Sequence, residues 1–249
     1  MRIGMIYQPC GLGDILFLQK IAHYMKELKY DVYWPVISEF DWLNEYIPYF
    51  NFISWEDNDN KLNGPPLPES VSFPRKEDYL PNKRTEMSKE FFFFQGFGNY
   101  SPIMAGKYDH IGMDWTDWRD YILFNRNIEK ENELFYNILG LSDNEEYVFV
   151  NRNYRTRPNK MIYPNISIDP DDYNSKVVEL KIIDGFSIFD WCKVLENAKM
   201  INMIETSMNY LLESPQLFDT IKEKQLILHS SHNNFSEVRY LFNLPWSYQ

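Results

Sequence analysis

The apolar positions of the first fifty residues change their period several times. IGMIY at 3–7 is continuously apolar over the length of one buried strand. Ile15, Leu18, Ile21, Ala22, Met25 and Leu28 then recur at spacings of three and four. That spacing predicts a helix over about 15–28 with a single stripe turned toward a sheet. DVYWPV at 31–36 returns to strand composition, a short helix is predicted around 40–46, and NFISWE at 51–56 predicts a third strand. The order βαβαβ implies parallel strands with helices packed across them.

Beyond this the grammar loosens before it resumes. DNDNKLNGPPLPES at 57–70 has the Asn, Asp, Gly and Pro content of a surface loop. The run FFFF within EFFFFQGFGNYSP reads as a central strand buried on both faces, in preference to an aromatic wall beside a pocket. IEKENELFYNIL predicts a helix ended by Gly140, and SDNEE links it to the strand YVFVN, so a domain boundary is expected at 143/144. The second half repeats the alternation: YVFVN, a basic loop, KVVELKII as a strand, SIFDWCKVLENA as a helix capped by Ser187 with Asp190, KMINMIE as a strand, TSMNYLLES as a helix and QLILHS as a strand. The expected architecture is α/β, with two Rossmann-like domains over 1–143 and 144–249 and parallel sheets in each.

Composition narrows the function. A chain of 249 residues that is 44% hydrophobic and 17% aromatic can bury a core in either one large domain or two small ones. No apolar run approaches the ~18 residues a membrane span needs, and MRIGMIYQ enters a strand without a signal-peptide pattern, so a cytoplasmic protein is expected. Cys10 and Cys192, one in each half, fit two free thiols in a reducing compartment. A net charge of −11 argues against a nucleic-acid partner, yet NRNYRTRPNK gathers Arg152, Arg155, Arg157 and Lys160 in an otherwise acidic chain. Such a cluster is either a solvated loop or a seat for one phosphorylated ligand.

The segment QPCGLGD lies between the first strand and the first helix, where backbone N–H groups are free to meet a ligand. It lacks the lysine of a P-loop and the third glycine of a dinucleotide fingerprint, and Leu16 stands where a cysteine phosphatase would carry its arginine. What remains is a turn in which Gly11 and Gly13 let a ligand approach the backbone, with Asp14 at the mouth of the helix. Asp14 also suits a helix N-cap. GLGDILFLQKIAHYMKELKYDVYW resembles the N-terminal motif of the heptosyltransferase-type glycosyltransferases, a strand followed by G-[LIM]-G-D, an apolar helix and a second strand. The resemblance implies a GT-B fold, two Rossmann-like domains facing a central cleft, with Asp14 as the base that deprotonates an acceptor hydroxyl bound near Gly11 and Gly13.

KMINMIETSMNYLLES resembles the same family's strand, acidic residue, Thr and small residue at a helix start, the turn that binds the donor's diphosphate. Glu205, Thr206 and Ser207 match it, and Thr206 or Ser207 equally suits a helix cap. The reaction implied is transfer of a sugar from a nucleotide-diphosphate sugar to a glycan or other hydroxyl acceptor, with inversion and without a cofactor or metal. Arg152, Arg155 and Lys160 would meet the diphosphate, since guanidinium forks match phosphate oxygens. Glu213 lies eight residues after Glu205, a weaker match to donor-sugar and ribose contacts in other GT-B transferases. His229 and His232 lack the companions a metal site needs, and His229, near a strand end, is expected to line the cleft among the nucleotide-sugar contacts. Trp115 and Trp118 in GMDWTDWRDY fit core packing better than a sugar platform. A GT-B-type sugar epimerase and a non-catalytic nucleotide- or glycan-binding module are the competing readings.

Overall fold

The computed structural model describes residues 2–8, 11–55, 62–63, 86–87, 91–95, 103–109, 111–157, 160–162, 168, 173–230 and 239–249. The loop at 57–70 therefore lies almost wholly outside the described residues, as do Cys10 and His232. Two compact units divide the chain, Met1–Phe124 and Asn125–Gln249.

The first unit is built on a six-stranded sheet. Its strands are β1 (Ile3–Tyr7), β2 (Asp31–Ile37), β3 (Asn51–Trp55), β4 (Leu62–Asn63), β5 (Glu86–Met87) and β6 (Phe91–Gln95), in the order β4-β3-β2-β1-β6-β5. β3, β2, β1 and β6 run parallel, and antiparallel β4 and β5 close the two edges. All five residues of β1 are buried, as its unbroken apolar run requires of a central parallel strand. The FFFF run is a strand and pairs with β1 in register from Ile3 with Phe91 to Tyr7 with Gln95. Its side chains lie outside the described residues.

The helix expected over 15–28 starts earlier and is divided. α1 spans Leu12–Phe17 and α2 spans Gln19–Glu27. At Leu18 the carbonyl accepts from Ile21 N at 3.0 Å and from Ala22 N at 3.3 Å, a tightened turn between the two helices. The predicted stripe survives the break, for Ile15, Leu18, Ile21, Ala22 and Met25 are all buried. α2 approaches the sheet closely at Gly4, where a Cβ would lie 3.0 Å from the Met25 sulfur and 3.3 Å from Tyr30 Cβ. A short 3₁₀ turn and α3 (Leu43–Tyr46) lead into β3, and α4 (Ile103–Asp109) follows β6 in the chain. Trp118 is fully buried and its ring lies 5.1 Å from that of Phe17, so it is core, while Trp115 is half-buried.

The second unit carries a sheet with all strands parallel: β7 (Tyr147–Asn151), β10 (Lys176–Glu179), β11 (Met200–Ile204), β12 (Gln225–His229) and β13 (Ser247–Tyr248), in the order β10-β7-β11-β12-β13. The basic segment is not a plain loop. β8 (Tyr154–Arg157) and β9 (Lys160–Ile162) pair antiparallel as a separate hairpin. Val148, Val150, Ile168 and Ile204 form a core on one face of the main sheet. On β7, Phe149 places its ring 6.0 Å from Trp191, which precedes α6 (Cys192–Asn197). Ser187 caps the turn at Ile188–Trp191 in a reciprocal box with Asp190, as expected. α7 (Ser207–Leu212) and α8 (Phe218–Ile221) follow β11.

The helical segment that begins with α5 (Ile128–Asn132) and continues as a π-helical turn over Glu133–Ile138 packs on this second unit. Arg126 bonds both to Glu131, whose carboxylate is buried, and to Glu196 at 2.6 and 2.7 Å. Glu131 also accepts from Lys193 N at 3.1 Å. A buried carboxylate is tolerable only with such compensation. The two units thus divide between Phe124 and Asn125, ahead of this segment, while the sequence reading divides the chain after it. Among the described residues no helix is long and apolar enough to cross a membrane.

Candidate functional site

In the first unit the candidate chemistry sits where β1 gives way to α1, at the C-terminal end of a central parallel strand. Gly11 has φ 82° and ψ 86° and is the residue before α1. Only glycine adopts such a conformation without cost. The space there is also taken: a Cβ on Gly11 would collide with Asp14 Oδ2 and stand 3.2 Å from Asp14 Cγ. Asp14 occupies the first turn of α1 but does not cap it, since no side-chain cap bond forms at this helix start. Its Oδ1 instead accepts from the ammonium of Lys107 on α4. The Lys107 side chain is 5% exposed and that of Asp14 31%, so the carboxylate is the lysine's counter-charge and its route to solvent. Gly13 is half-buried beside them.

In the second unit Arg152, Glu205, Thr206, Ser207 and His229 stand at the C-terminal ends of β7, β11 and β12. Asn151, the last residue of β7, donates to Thr206 Oγ1 at 3.2 Å. Thr206 is extended and caps α7. Its hydroxyl accepts from Met208 N at 3.3 Å, and its own N–H donates to Asn209 Oδ1 at 2.7 Å. The capping reading of Thr206 is therefore correct. Glu205 N donates to the His229 carbonyl at 3.1 Å, which ties this turn to the end of β12, and Ser207 begins α7 half-buried.

His229 is buried. Its Nε2 lies 2.8 Å from Asn202 Oδ1, and Asn202 donates through Nδ2 to the Tyr173 hydroxyl. With the Asn202 oxygen as acceptor, Nε2 is the protonated nitrogen of the neutral ring. Burial holds this imidazole's pKa below its usual value. Arg152 gives two bonds to Glu179, from Nε at 2.6 Å and Nη2 at 3.0 Å. Arg155 and Lys160 lie on β8 and β9, with side chains outside the described residues.

Glu213 corrects the sequence reading. Matched above to donor-sugar and ribose contacts, it is fully buried and accepts from Asn243 N at 2.9 and 3.0 Å and from Leu244 N at 2.9 Å. The carboxylate satisfies the backbone of the C-terminal segment, which leaves it no outward role. Cys192 is a buried free thiol, its pKa pushed well up by desolvation, and such a thiol is unreactive. Among the described residues, no three His, Cys, Asp or Glu side chains gather where they could hold a metal ion.

No protein-family model and no curated protein matches the chain. Among solved structures there is a resemblance. The crystal structure of a glycosyl transferase family 9 protein from Veillonella parvula DSM 2008 matches it at a TM-score of 0.48 and 9% identity, covering 100% of this chain and 86% of that one.

Sequence reasoning missed Lys107 and Asn151. Lys107 is the one cation in the apolar stretch IMAGKY, a faint mark of a buried, partnered charge. Asn151 ends the apolar strand YVFVN, where a polar residue reads equally well as the start of a loop.

Proposed function

We propose that this protein is a metal-independent, inverting glycosyltransferase that moves a sugar from a nucleotide-diphosphate sugar to an acceptor hydroxyl. The observation that carries the reading is the Gly11–Asp14 turn: a carboxylate, fixed by an ion pair and half open to solvent, stands over a left-handed glycine at the C-terminal end of β1. Open α/β sheets bind their ligands at that end of the strands. The resemblance of GLGD and ETS to the heptosyltransferase-type motifs supplies the reaction.

In this mechanism the acceptor oxygen attacks the anomeric carbon while its proton passes to Asp14. The bond from that carbon to the diphosphate breaks, and the electron pair leaves with the diphosphate. The donor is assigned to the second unit, at Glu205, Ser207 and the cations Arg152, Arg155 and Lys160, with His229 beside them. Guanidinium groups and backbone N–H groups there would stabilise the leaving charge. Thr206 shapes that turn through its cap and leaves the diphosphate contacts to its neighbours.

Asp14→Asn tests the reading. It keeps an oxygen for Lys107 and removes the base, so transfer should fall by about 10²-fold or more while nucleotide affinity, read as a thermal shift with UDP, GDP and ADP, stays at the wild-type value. Near-normal turnover in this variant would remove Asp14 from the chemistry. Nucleotide binding by a wild-type protein that turns over no donor would favour a binding module.

A further inference from the structure

Lys107 does more than neutralise a charge. α4 meets α1 at two points one helical turn apart, in its first turn and at its last residue. Lys107 reaches Asp14 Oδ1, and the next residue, Tyr108, donates its hydroxyl to the carbonyl of Phe17 and sets its ring edge-on to the Phe17 ring at 5.0 Å. Lys107 and Tyr108 are both buried, and so are their neighbours Ala105 and Gly106. An ammonium anchored in this way has one reach and one direction. It takes Oδ1 of Asp14, and Oδ2 is left directed over Gly11, the position where only a hydrogen leaves it room.

We propose that Lys107 is a positioning residue that acts through Asp14, dividing the labour of the two carboxylate oxygens: Oδ1 is held by the ammonium and Oδ2 receives the acceptor's proton above Gly11. The inference rests on the transferase reading given above. In the step itself the acceptor O–H bond breaks and its proton forms a bond to Oδ2. The acceptor oxygen bonds to the anomeric carbon, and the diphosphate departs with its electron pair. Lys107 gives up no proton and remains an ammonium, donating afterwards to the carbonyl oxygen of the neutral acid. Small shifts of a reacting group cost on the order of 10²-fold in rate, which sets the scale of the effect.

The test is release of nucleoside diphosphate from UDP-glucose, GDP-mannose and ADP-glucose, with water or methyl glucoside as acceptor, by the wild-type chain and by K107M, K107R, D14N and D14N/K107M. K107M should lower kcat by about 10²-fold with the donor KM unchanged, and K107R, which keeps a cationic donor, should recover about tenfold of that loss. The double variant should be no slower than D14N alone, because Lys107 has nothing left to position. If K107M does not fold, K107Q is read in the same way, with circular dichroism confirming the folded state. Wild-type kcat in the lysine variants beside a slow D14N would overturn the role of Lys107 alone, as would a double variant whose losses multiply. A D14N enzyme as fast as wild type, or a wild-type chain that releases nothing from any donor, would overturn the transferase reading and this role together.

Discussion

Gly11→Ala isolates the geometry on which the candidate base depends. At φ 82° the alanine pays the left-handed penalty of roughly 1–2 kcal/mol. It also brings a methyl group onto Asp14 Oδ2, so the carboxylate must leave its rotamer at a cost of about 0.5–1.5 kcal/mol and strain its pairing with Lys107. The total is about 1.5–3.5 kcal/mol. Gly112→Ala is the internal control: its φ is 63°, yet apart from its chain neighbours no atom of the described residues lies within 4 Å of the added carbon, so only the same backbone penalty of roughly 1–2 kcal/mol applies. Urea unfolding followed by tryptophan fluorescence suits the comparison, since Trp34, Trp42, Trp55, Trp115 and Trp118 all belong to the first unit. The excess of Gly11→Ala over Gly112→Ala should vanish when both are made in an Asp14→Ala background, where the obstructing carboxylate is gone. Equal costs for the two glycines in the wild-type background would refute the argument that Asp14 is held over Gly11.

Two further predictions concern groups away from the reaction. His23 packs its ring against Phe50 at 5.0 Å and Tyr121 at 5.9 Å, and burial, helped by nearby Lys26, holds its pKa below the usual 6.5. The unfolded chain then binds a proton that the folded ring refuses, so this contribution to stability is whole above the unfolded pKa and is lost as pH falls through the window below it. His23→Phe should flatten the fall in urea midpoint between about pH 7.5 and about pH 5.5, and an unchanged slope would clear His23 of that role. Glu213→Gln weakens the acceptor for three short bonds from Asn243 and Leu244, and should cost about 1–3 kcal/mol by the same assay with no change in nucleotide-induced thermal shift. A loss of nucleotide affinity at unchanged stability would return Glu213 to the binding site.

What the sequence revealed and what it hid divide along physical lines. β1, β2 and β3, and later β7, β11 and β12, were legible because buried parallel strands read as apolar runs of strand length. The stripe of α1 and α2 was legible through its spacings of three and four, whereas the break at Leu18 was not, since it arises from one tightened turn. β13 and the β8–β9 hairpin escaped because a two-residue edge strand and a charged hairpin carry little periodicity. Asp14 could be singled out by its motif, but its partner could not. Lys107 is distant in the chain, and only the fold brings α4 to the start of α1.

The strand order of the first unit also has a consequence for how the chain reaches this state. β1 forms its central pairings with β2, nearby in sequence, and with β6, which joins Ile3 to Phe91 and Tyr7 to Gln95. A ribosome has emitted most of the first unit before that second partner exists, and closing so long a loop costs entropy that local contacts do not. The second unit's pairings span shorter stretches, Ile227 with Ser247 being the tightest of its parallel crossovers. During synthesis, then, one flank of β1 stays an open edge until Phe91–Gln95 arrives, and the Lys107 clamp, still later in the chain, closes over a sheet that has only then acquired its second side.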